Sequence, residues 1–552
     1  MKKNLFMKYA VLILLLFIFS CKTAKQSSIK SWVGYDEKND LAGGAKNESS
    51  RLRYKLIQSK ILDKNEVWKN VFPQIRNFSE SDYLSLEPLI FNQDIPSIQS
   101  SIKEGKLSYE KLTQWYLYRI VKFENDKNKA LNNIISINPN AVKEARKKDR
   151  NKSDKNRPVY GMPVLLKDNI DFEGLATTAG AHALQFNYAK NAFIVDRLKE
   201  NGAIILGKVN LSEWANYLCL ECPNGYSAIG GQTLNPYGIK MIDTGGSSAG
   251  SGSSMAANYA AAAVGTETSG SILSPSSQHS LVGLKPTTGL LSRSGIVPIS
   301  STFDTPGPMT RNVMDNAIMV DAMSGTDKND AASKNNPINK KYWEEVKTGT
   351  LVGVKFGVIK AFLRDSLYKI NVEKIKSAGG IMTEIEFEQN NNDGFGTLLN
   401  TDMKVDLANY LKMEAGDKIP YRSVADIITF NKIDTLKSIP YGQGRLDGIM
   451  KENKTDAEIE KLKVAVRKSG VGYFEKPMVQ FQLDFILSIA NRSAGYAAAA
   501  NYPCITVPMG YRASAEPVGI TFISRPFMEE GLLKVAYAFE QATKSRKVPV
   551  GY

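Results

Sequence analysis

Histidine is almost absent from this 552-residue chain, which contains only His182 and His279. Histidine-rich metal sites, haem ligation and most Ser–His–acid triads depend on this residue type, so the composition disfavours all three. The G-x-S-x-G pattern centred on Ser248 needs an acid and then a histidine well downstream. His279 follows too soon, with Glu267 as the only acid between them. We therefore do not expect a histidine-dependent hydrolase.

Cysteine is also scarce, with four residues in the chain. Cys219 and Cys222 form a single C-x-x-C pair, and a structural zinc site needs a second pair that the sequence lacks. Neither a metal nor another cofactor is predicted. A disulfide between these two cysteines and two free thiols in a loop both remain open.

Acidic residues are fewer than basic ones, 56 against 71, which gives a formal net charge of +15. The basic residues are mixed with acids along the chain. The densest basic run, 144–157, has no aromatic residue that could stack on a base. It is typical of a solvated helix end and loop, with contact to a polyanion or a membrane surface as the alternative. Nucleic acid is not an expected partner.

Long hydrophobic runs are missing, and the apolar run 9–19 is shorter than the ~20 residues of a membrane-spanning helix. Lys2, Lys3 and Lys8 lie before or at the start of this run, and Ser20-Cys21 ends it. This pattern is typical of a secretory signal, and the cysteine after a small residue resembles a bacterial lipobox. Residues 1–20 are thus predicted to be a lipoprotein signal peptide and Cys21 the lipidation site. The alternative is an ordinary signal peptide with an incidental cysteine.

The remaining chain divides by composition into three parts. Residues 21–50 are polar and lack periodicity, which predicts a flexible tether. Residues 51–97 predict a short N-terminal helical addition, and residues 98–552 a single domain. A lipid-anchored protein exported to the periplasmic or cell-surface side of a bacterial membrane is the expected product.

Short apolar runs alternate with helical patterns in the C-terminal part, which predicts the α/β class. Ser108 is a candidate N-cap for a helix that carries Leu112, Tyr116, Ile120 and Phe123 on one face. The predicted buried strands are 159–166, 203–206, 504–507 and 518–523, and further predicted helices are 195–201 and 532–542.

A Gly/Ser-rich run, DTGGSSAGSGSS (243–254), precedes a run of small residues at 255–264. It predicts a loop that leads into a helix over 255–264, with glycine N–H groups available to an anion. No Gly-Lys-Ser/Thr follows, so it is not a phosphate loop of the P-loop type.

A serine hydrolase without histidine needs another base, and lysine is the obvious candidate. Lys167 ends a strand-like apolar run, where burial would lower its pKa from the usual ~10.4. The alternative for such a lysine is an edge residue whose amine reaches solvent.

Many segments, taken in order, resemble the amidase signature family of serine hydrolases. They are GMPVLLKDNID (161–171), TTAGAHAL (177–184), GKVNLSEWANY (207–217), GGQTLNPY (230–237), DTGGSSAGSG (243–252), GTETSGSILSPSS (265–277) and GLKPTTGLLSRSGIVPIS with DTPGPMTR (283–311). Weaker matches follow at 405–411, 425–431, 498–511 and 517–527. The resemblance covers the chain from about residue 97 onward. It implies a single large α/β domain with a mixed central sheet surrounded by helices.

The resemblance also implies the catalytic residues, a serine–cis-serine–lysine triad. The family's lysine falls on Lys167, its bridging serine on Ser247 and its nucleophile on Ser271. The implied oxyanion hole consists of backbone N–H groups, those of Thr268, Ser269, Gly270 and Ser271.

Three positions depart from the family pattern: Glu267 and Ser269 in the nucleophile loop, and Leu273 where many relatives have arginine. Glu267 is either structural, accepting N–H groups of its own turn, or part of the catalytic machinery. None of the departures removes a triad atom.

The implied activity is hydrolysis of a carboxylic amide through an acyl-enzyme, with a small amide or a peptide amide as substrate and no cofactor. One alternative is the A subunit of a tRNA-dependent amidotransferase, which the export signal disfavours. Another is a lipoprotein that binds amides or peptides without turnover, which the complete triad disfavours. The oligomeric state is not predicted.

Overall fold

An eleven-stranded mixed sheet runs through the part of the chain that the structure, a computed structural model, describes: residues 31–151, 157–335, 341–387 and 393–552. The predicted signal peptide and Cys21 lie outside these residues. The strands are β1 (Ile134–Ile137), β2 (Pro163–Lys167), β3 (Ile204–Val209), β4 (Tyr226–Ser227), β5 (Gly231–Gln232), β6 (Ala262–Glu267), β7 (Val282–Lys285), β8 (Thr305–Thr310), β9 (Lys355–Ile359), β10 (Ile381–Ile385), β11 (Phe485–Ile489), β12 (Cys504–Tyr511) and β13 (Pro517–Ile523).

The order of the large sheet is β1-β3-β2-β6-β8-β7-β12-β13-β11-β9-β10, while β4 and β5 form a separate two-stranded ribbon. Strand β2 is parallel to both β3 and β6, and β6 is antiparallel to β8. Every residue of β2, β3 and β6 is buried. Their residues are mostly apolar or small, as is typical of strands covered on both faces, and the buried polar residues Lys167, Lys208 and Glu267 lie at or near their carboxyl ends.

Helices flank the sheet. They are α1 (Lys38–Gly44), α2 (Lys64–Trp68), α3 (Phe72–Ile75), α4 (Glu80–Ile90), α5 (Ile95–Lys103), α6 (Tyr109–Glu124), α7 (Ala141–Arg150), α8 (Phe193–Glu200), α9 (Ala249–Ala256), α10 (Leu273–Gln278), α11 (Val313–Met323), α12 (Tyr342–Glu345), α13 (Ser366–Ser377), α14 (Phe395–Met413), α15 (Val424–Asn431), α16 (Thr435–Ser438), α17 (Gly444–Ile449), α18 (Asp456–Gln480), α19 (Ala494–Ala500) and α20 (Glu529–Thr543). A short turn at Glu213–Asn216 has left-handed backbone angles at Trp214 and Ala215. The α/β class with a mixed central sheet is thus confirmed.

The sequence locates several elements to within a few residues. The predicted strands 203–206, 504–507 and 518–523 coincide with parts of β3, β12 and β13, and the predicted strand 159–166 overlaps β2. Helix α6 begins after Ser108, whose hydroxyl accepts a hydrogen bond from Lys111 N at 3.1 Å. The other two predicted helices correspond to α8 and α20.

The Gly/Ser-rich run and the run of small residues after it both differ from their predicted secondary structure. Helix α9 forms within the Gly/Ser-rich run, beginning at Ala249. The predicted helix over 255–264 is wrong, because α9 ends at Ala256 and residues 262–264 lie in strand β6. This strand lies between β2 and β8 with all its residues buried, so small side chains there fill a tightly packed layer.

The predicted tether comprises residues 21–50, of which the structure describes 31–50. These residues pack against the rest of the described chain. Trp32 N donates to Asn65 Oδ1 at 2.9 Å, and the Glu37 carboxylate accepts from Gln58 N at 2.8 Å. This differs from the predicted flexible segment. A few anchoring side chains suffice to dock a polar segment that has no hydrophobic periodicity.

The predicted helical addition, residues 51–97, contributes to the main hydrophobic core. Leu52, Trp68 and Ile95 belong to the same buried cluster as residues of the central sheet. Helix α5 continues across the predicted boundary at residue 98. The structure therefore places no domain boundary there.

Cys219 and Cys222 are joined by a disulfide, with their Cα atoms 5.7 Å apart. Of the two alternatives for this pair, the structure has the disulfide. Cys504 is a buried free thiol. No described helix is both long and apolar enough to cross a membrane. Within the described ranges, no three His, Cys, Asp or Glu side chains are grouped so that they could hold a metal ion.

Candidate active site

Lys167 lies at the carboxyl end of β2, with its amine completely buried. Its Nζ is 2.7 Å from Ser247 Oγ, 2.8 Å from Thr266 Oγ1 and 3.1 Å from Thr266 O. Thr266 belongs to the neighbouring parallel strand β6, whose carboxyl end meets the same edge of the sheet. Among the residues that the structure describes, no carboxylate bonds to the amine. The alternative of an edge lysine that reaches solvent is therefore wrong.

Burial lowers the pKa of Lys167 from its usual value of 10.5 to about 7, although Asp304 and Glu267 oppose part of the shift. A neutral amine has two N–H groups and one lone pair. It can donate both to the Thr266 oxygens and accept a proton from the Ser247 hydroxyl. The surroundings thus favour the neutral lysine that a general base must be.

Ser247 lies in the loop before α9, after two glycines that the loop requires. Gly245 has φ +63°, and a Cβ on it would approach Pro275 Cα to 2.9 Å. A Cβ on Gly246 would lie 2.6 Å from Ser212 Oγ. The Gly246–Ser247 peptide bond is cis, and Ser247 O accepts from Ser212 N at 3.0 Å. These contacts position the Ser247 hydroxyl beside Lys167.

Ser271 lies in the loop between β6 and α10 and is 7% exposed, whereas Ser247 and Lys167 have no exposed surface. Its carbonyl oxygen accepts a hydrogen bond from Ser248 N at 3.1 Å. The serine-rich loop before α9 and the loop that carries Ser271 are therefore in direct contact. Of the three predicted triad residues, Ser271 is the one with some exposed surface.

The Glu267 carboxylate organises the loop that contains Ser271. Oε1 accepts from Gly270 N at 2.6 Å, and Oε2 accepts from Ile272 N at 2.7 Å and Leu273 N at 3.0 Å. Helix α10 begins at Leu273, where a carboxylate is favourable. The structural interpretation of Glu267 is confirmed.

The same contacts correct one of the four predicted oxyanion donors. The Gly270 N–H is already bonded to Glu267, so it is not available to substrate. In contrast, the backbone N–H groups of Ser269 and Ser271 have no partner among the described residues. The Thr268 hydroxyl donates to Asp304 Oδ1 at 2.5 Å.

The side chains of Ser248 and His279 make hydrogen bonds that do not involve the predicted triad residues. Ser248 Oγ donates to Thr266 O at 3.1 Å and accepts from Thr266 N at 3.2 Å. His279 Nδ1 lies 2.8 Å from Pro275 O, and burial lowers its pKa to about 4. The G-x-S-x-G pattern at Ser248 is thus not part of a histidine triad.

Residue-by-residue sequence reasoning missed three side chains of the site. Thr266 contacts the lysine, Asn169 Nδ2 donates to Thr266 Oγ1 at 3.0 Å, and Asp304 bonds the Thr268 hydroxyl. Each lies inside a quoted family segment, and Asn169 and Thr266 lie two positions from Lys167 and Thr268. Thr266 and Asn169 come together because β2 pairs with β6, and the sequence alone does not show this pairing.

A cavity of about 180 Å³ adjoins the site. Its wall includes Asn169, Thr266 and Thr268, so it is continuous with the surroundings of Lys167 and of the nucleophile loop. The opposite wall comes from residues 293–306 and from helix α14. A cavity of this size accepts a group of a few heavy atoms.

The family model for amidases matches residues 111–413, more than half of the chain. The chain belongs to the amidase family. This amidase is 37% identical to a probable amidase of Arabidopsis thaliana over 479 residues, which cover 82% of the chain and 91% of that protein.

Solved structures agree with this assignment. An amidase family protein from Bacillus anthracis superposes on this amidase with a TM-score of 0.86 at 37% identity, covering 89% of this chain and 99% of the other. The peptide amidase of Stenotrophomonas maltophilia gives a TM-score of 0.78 at 35% identity, with coverage of 83% and 98%. The fold is that of the amidase signature enzymes, and the protein is an amide-hydrolysing enzyme.

Proposed function

We propose that this amidase cleaves a carboxylic amide through an acyl-enzyme, with Ser271 as the nucleophile, Ser247 as the proton bridge and Lys167 as the base. One observation carries the proposal: a fully buried lysine amine, free of any carboxylate contact, lies 2.7 Å from a serine hydroxyl. Burying an amine is costly, and a lysine with a pKa lowered by burial beside a serine hydroxyl is a candidate for a functional group.

In the proposed first step, Ser271 Oγ attacks the carbonyl carbon of the amide. Its proton passes to Ser247 Oγ, whose own proton passes to Lys167 Nζ. The negative charge that develops on the carbonyl oxygen meets the unpaired N–H groups of Ser269 and Ser271. Losing one donor of this kind typically costs ~10²–10³ in rate.

In the second half, the lysine proton returns through Ser247 to the leaving nitrogen, and the C–N bond breaks. Ammonia or an amine departs, leaving the acyl group on Ser271. Water then attacks the ester by the same route and releases the carboxylic acid. The lysine is neutral again at the end of the cycle.

The substrate class proposed is a small amide or a C-terminal peptide amide. The structural likeness to the peptide amidase of S. maltophilia supports the peptide amide, and the cavity beside the nucleophile loop can receive part of such a substrate. We also propose that the enzyme acts outside the cytoplasm, held to a membrane by lipid on Cys21. The apolar run 9–19 and its junction with Ser20-Cys21 support this location.

A fluorophosphonate probe combined with an amide panel tests the proposal. The purified chain from residue 22 onward should release ammonia from primary amides and peptide amides, and the probe should label Ser271. Ser271→Ala should abolish both signals, while Ser254→Ala, at a buried serine in α9, should keep both. Labelling without turnover of any amide, or turnover confined to glutamine, would contradict the proposal.

A further inference from the structure

The cavity beside the nucleophile loop is lined by an excess of carboxylates. Asp304, Asp406 and Glu414 all belong to its wall. Asp304 and Glu414 accept hydrogen bonds from backbone N–H groups, and so does Asp406, from Ser301 N at 2.6 Å. None of the three forms an ion pair with a lysine or arginine in the described part of the chain.

The cavity also contains one cation, but it is already neutralised. Arg293 forms a two-pronged pair with Asp330, with Nε 2.9 Å from Oδ2 and Nη2 2.6 Å from Oδ1. Its Nη1 donates to the carbonyl oxygen of Ser301. Three of its five N–H groups are thus bonded, and Asp330 compensates its positive charge. The net charge of the wall remains negative.

The wall also contains a buried hydrogen-bond acceptor that has no donor. Asn169 is 3% exposed, and its Nδ2 bonds to Thr266 Oγ1 and to Val297 O. Its Oδ1 is buried without a partner, although the residue lines the cavity. A buried acceptor left unpaired costs free energy, which a ligand N–H would recover.

We propose that this cavity binds a cationic group of the substrate, an ammonium or a guanidinium, so that the preferred substrates are amides that carry a positive charge. The proposal rests on the proposed amide hydrolysis and specifies its substrate class. A cation provides several N–H donors and a positive charge at once. The donors match the unpaired Asn169 oxygen, and the charge matches three carboxylates that have no cationic partner among the described residues.

The negative charge of these carboxylates depends on pH, because burial acts against their ionisation. Burial raises the pKa of Asp304 to about 6, and burial also raises those of Asp406 and Glu414. Above neutral pH, where Lys167 is mostly neutral, Asp304 is mostly ionised. A bound cation would further favour the ionised forms.

The experiment compares straight-chain primary amides that differ only at the far end. Each ω-aminoalkanamide of three to six carbons is paired with the alkanamide that has methyl in place of ammonium, and with the acid-terminated analogue. At low salt, we expect the best aminoalkanamide to exceed its methyl counterpart in kcat/KM by at least about tenfold. The acid-terminated analogue should be the poorest of the three.

Asp406→Asn removes the charge and keeps an oxygen for Ser301 N. It should reduce the ratio of cationic to neutral kcat/KM by about tenfold. Asp447→Asn, at an exposed aspartate of α17 outside the cavity, is the matched control and should leave the ratio unchanged. Should Asp406→Asn fail to fold, Glu414→Gln at the exposed edge of the cavity provides the same comparison.

The outcomes separate this inference from the proposed function. A ratio near one in the wild type, with neutral alkanamides still hydrolysed, overturns the cation site and leaves the serine amidase standing. An unchanged ratio in Asp406→Asn also overturns the cation site. If no amide of the panel or of the peptide amide series is hydrolysed, the proposed function itself is lost.

Discussion

Lys167 can serve as the base only while its amine is neutral, which makes activity depend on pH. With a pKa of about 7 in the folded protein, the amine is protonated below that pH and cannot accept a proton from Ser247. We expect kcat/KM to rise with pH through about 7 and then level off. The measurement is kcat/KM for a neutral amide across this range.

The control for this prediction removes the amine. Lys167→Ala should lose most activity, and its residual activity should lack the inflection. If the residual activity kept the same acid limb, another group would be the base.

The three proposed triad residues should behave as one unit. Ser271→Ala removes the nucleophile, and Lys167→Ala removes the final proton acceptor. Because both break the same relay, the double mutant should be little worse than Ser271→Ala alone. Single-turnover kinetics with a peptide amide measure each loss, and additive losses would show that the residues act separately.

Ser247→Ala and Ser248→Ala test which of the adjacent serines is the bridge. Ser247→Ala should be nearly inactive, because it leaves Lys167 without its 2.7 Å contact. Ser248→Ala removes two hydrogen bonds to the Thr266 backbone. It should cost stability of about 1–3 kcal/mol but retain much more activity. The reverse result would reassign the bridge.

The motifs that carry Lys167 and Ser247 are long and specific, and the structure brings these two predicted residues within 2.7 Å of each other. The sequence could not show that Gly270 N is bonded to Glu267, nor that Thr266 touches the lysine. Both facts depend on where side chains point once two distant segments pair. Such information is not contained in motif spacing.

At the scale of elements, the turn from β6 into α10 is held together by one side chain. The Glu267 carboxylate accepts three backbone N–H groups. In Glu267→Gln, one oxygen becomes an NH₂ group that faces an N–H donor. We expect the nucleophile loop to distort and kcat to fall by about tenfold to a hundredfold.

The measurement is kcat together with the midpoint of thermal unfolding. Glu373→Gln, at an exposed position of α13, is the matched control and should change neither. A Glu267→Gln variant with normal kcat would show that the three contacts do not position Ser271.

The segment that forms α9 and β6 shows where secondary structure could not be predicted from the sequence. Small residues are compatible with a helix, but they also suit a strand that is buried on both faces between β2 and β8. Which of the two forms depends on the neighbours, and the neighbours are set by tertiary structure. The strands with branched apolar residues, such as β3 and β13, were predictable because their residue types are typical of buried strands.

At the scale of the whole molecule, residues 31–50 pack against the rest of the described chain. The Trp32 ring packs against Lys64, whose Nζ lies 4.2 Å from the ring centroid. We expect Trp32→Ala to lower the free energy of unfolding by about 1–3 kcal/mol, through lost burial and this contact. Urea unfolding measures the change.

The neighbouring residue provides the control. Val33 is 78% exposed, so Val33→Ala should be close to neutral. Equal stability of the Trp32 and Val33 variants would mean that the segment does not dock in solution.

The proposed lipid anchor gives a prediction for the full-length chain. Wild type should partition into detergent, while Cys21→Ser should be soluble or remain uncut. Intact mass and phase partitioning measure this. Retention of residues 1–20 without lipid on Cys21 would contradict the anchor.

The order of strands in the sheet also bears on folding kinetics. Lys167 and Thr266 lie on adjacent strands but are 99 positions apart in sequence. Closing so long a segment is entropically costly and slow relative to helix formation. A chain that is still being synthesised thus contains the lysine well before Thr266 is present. We expect turnover to return after denaturation only once β2 and β6 have paired, so that regained activity reports completion of the sheet.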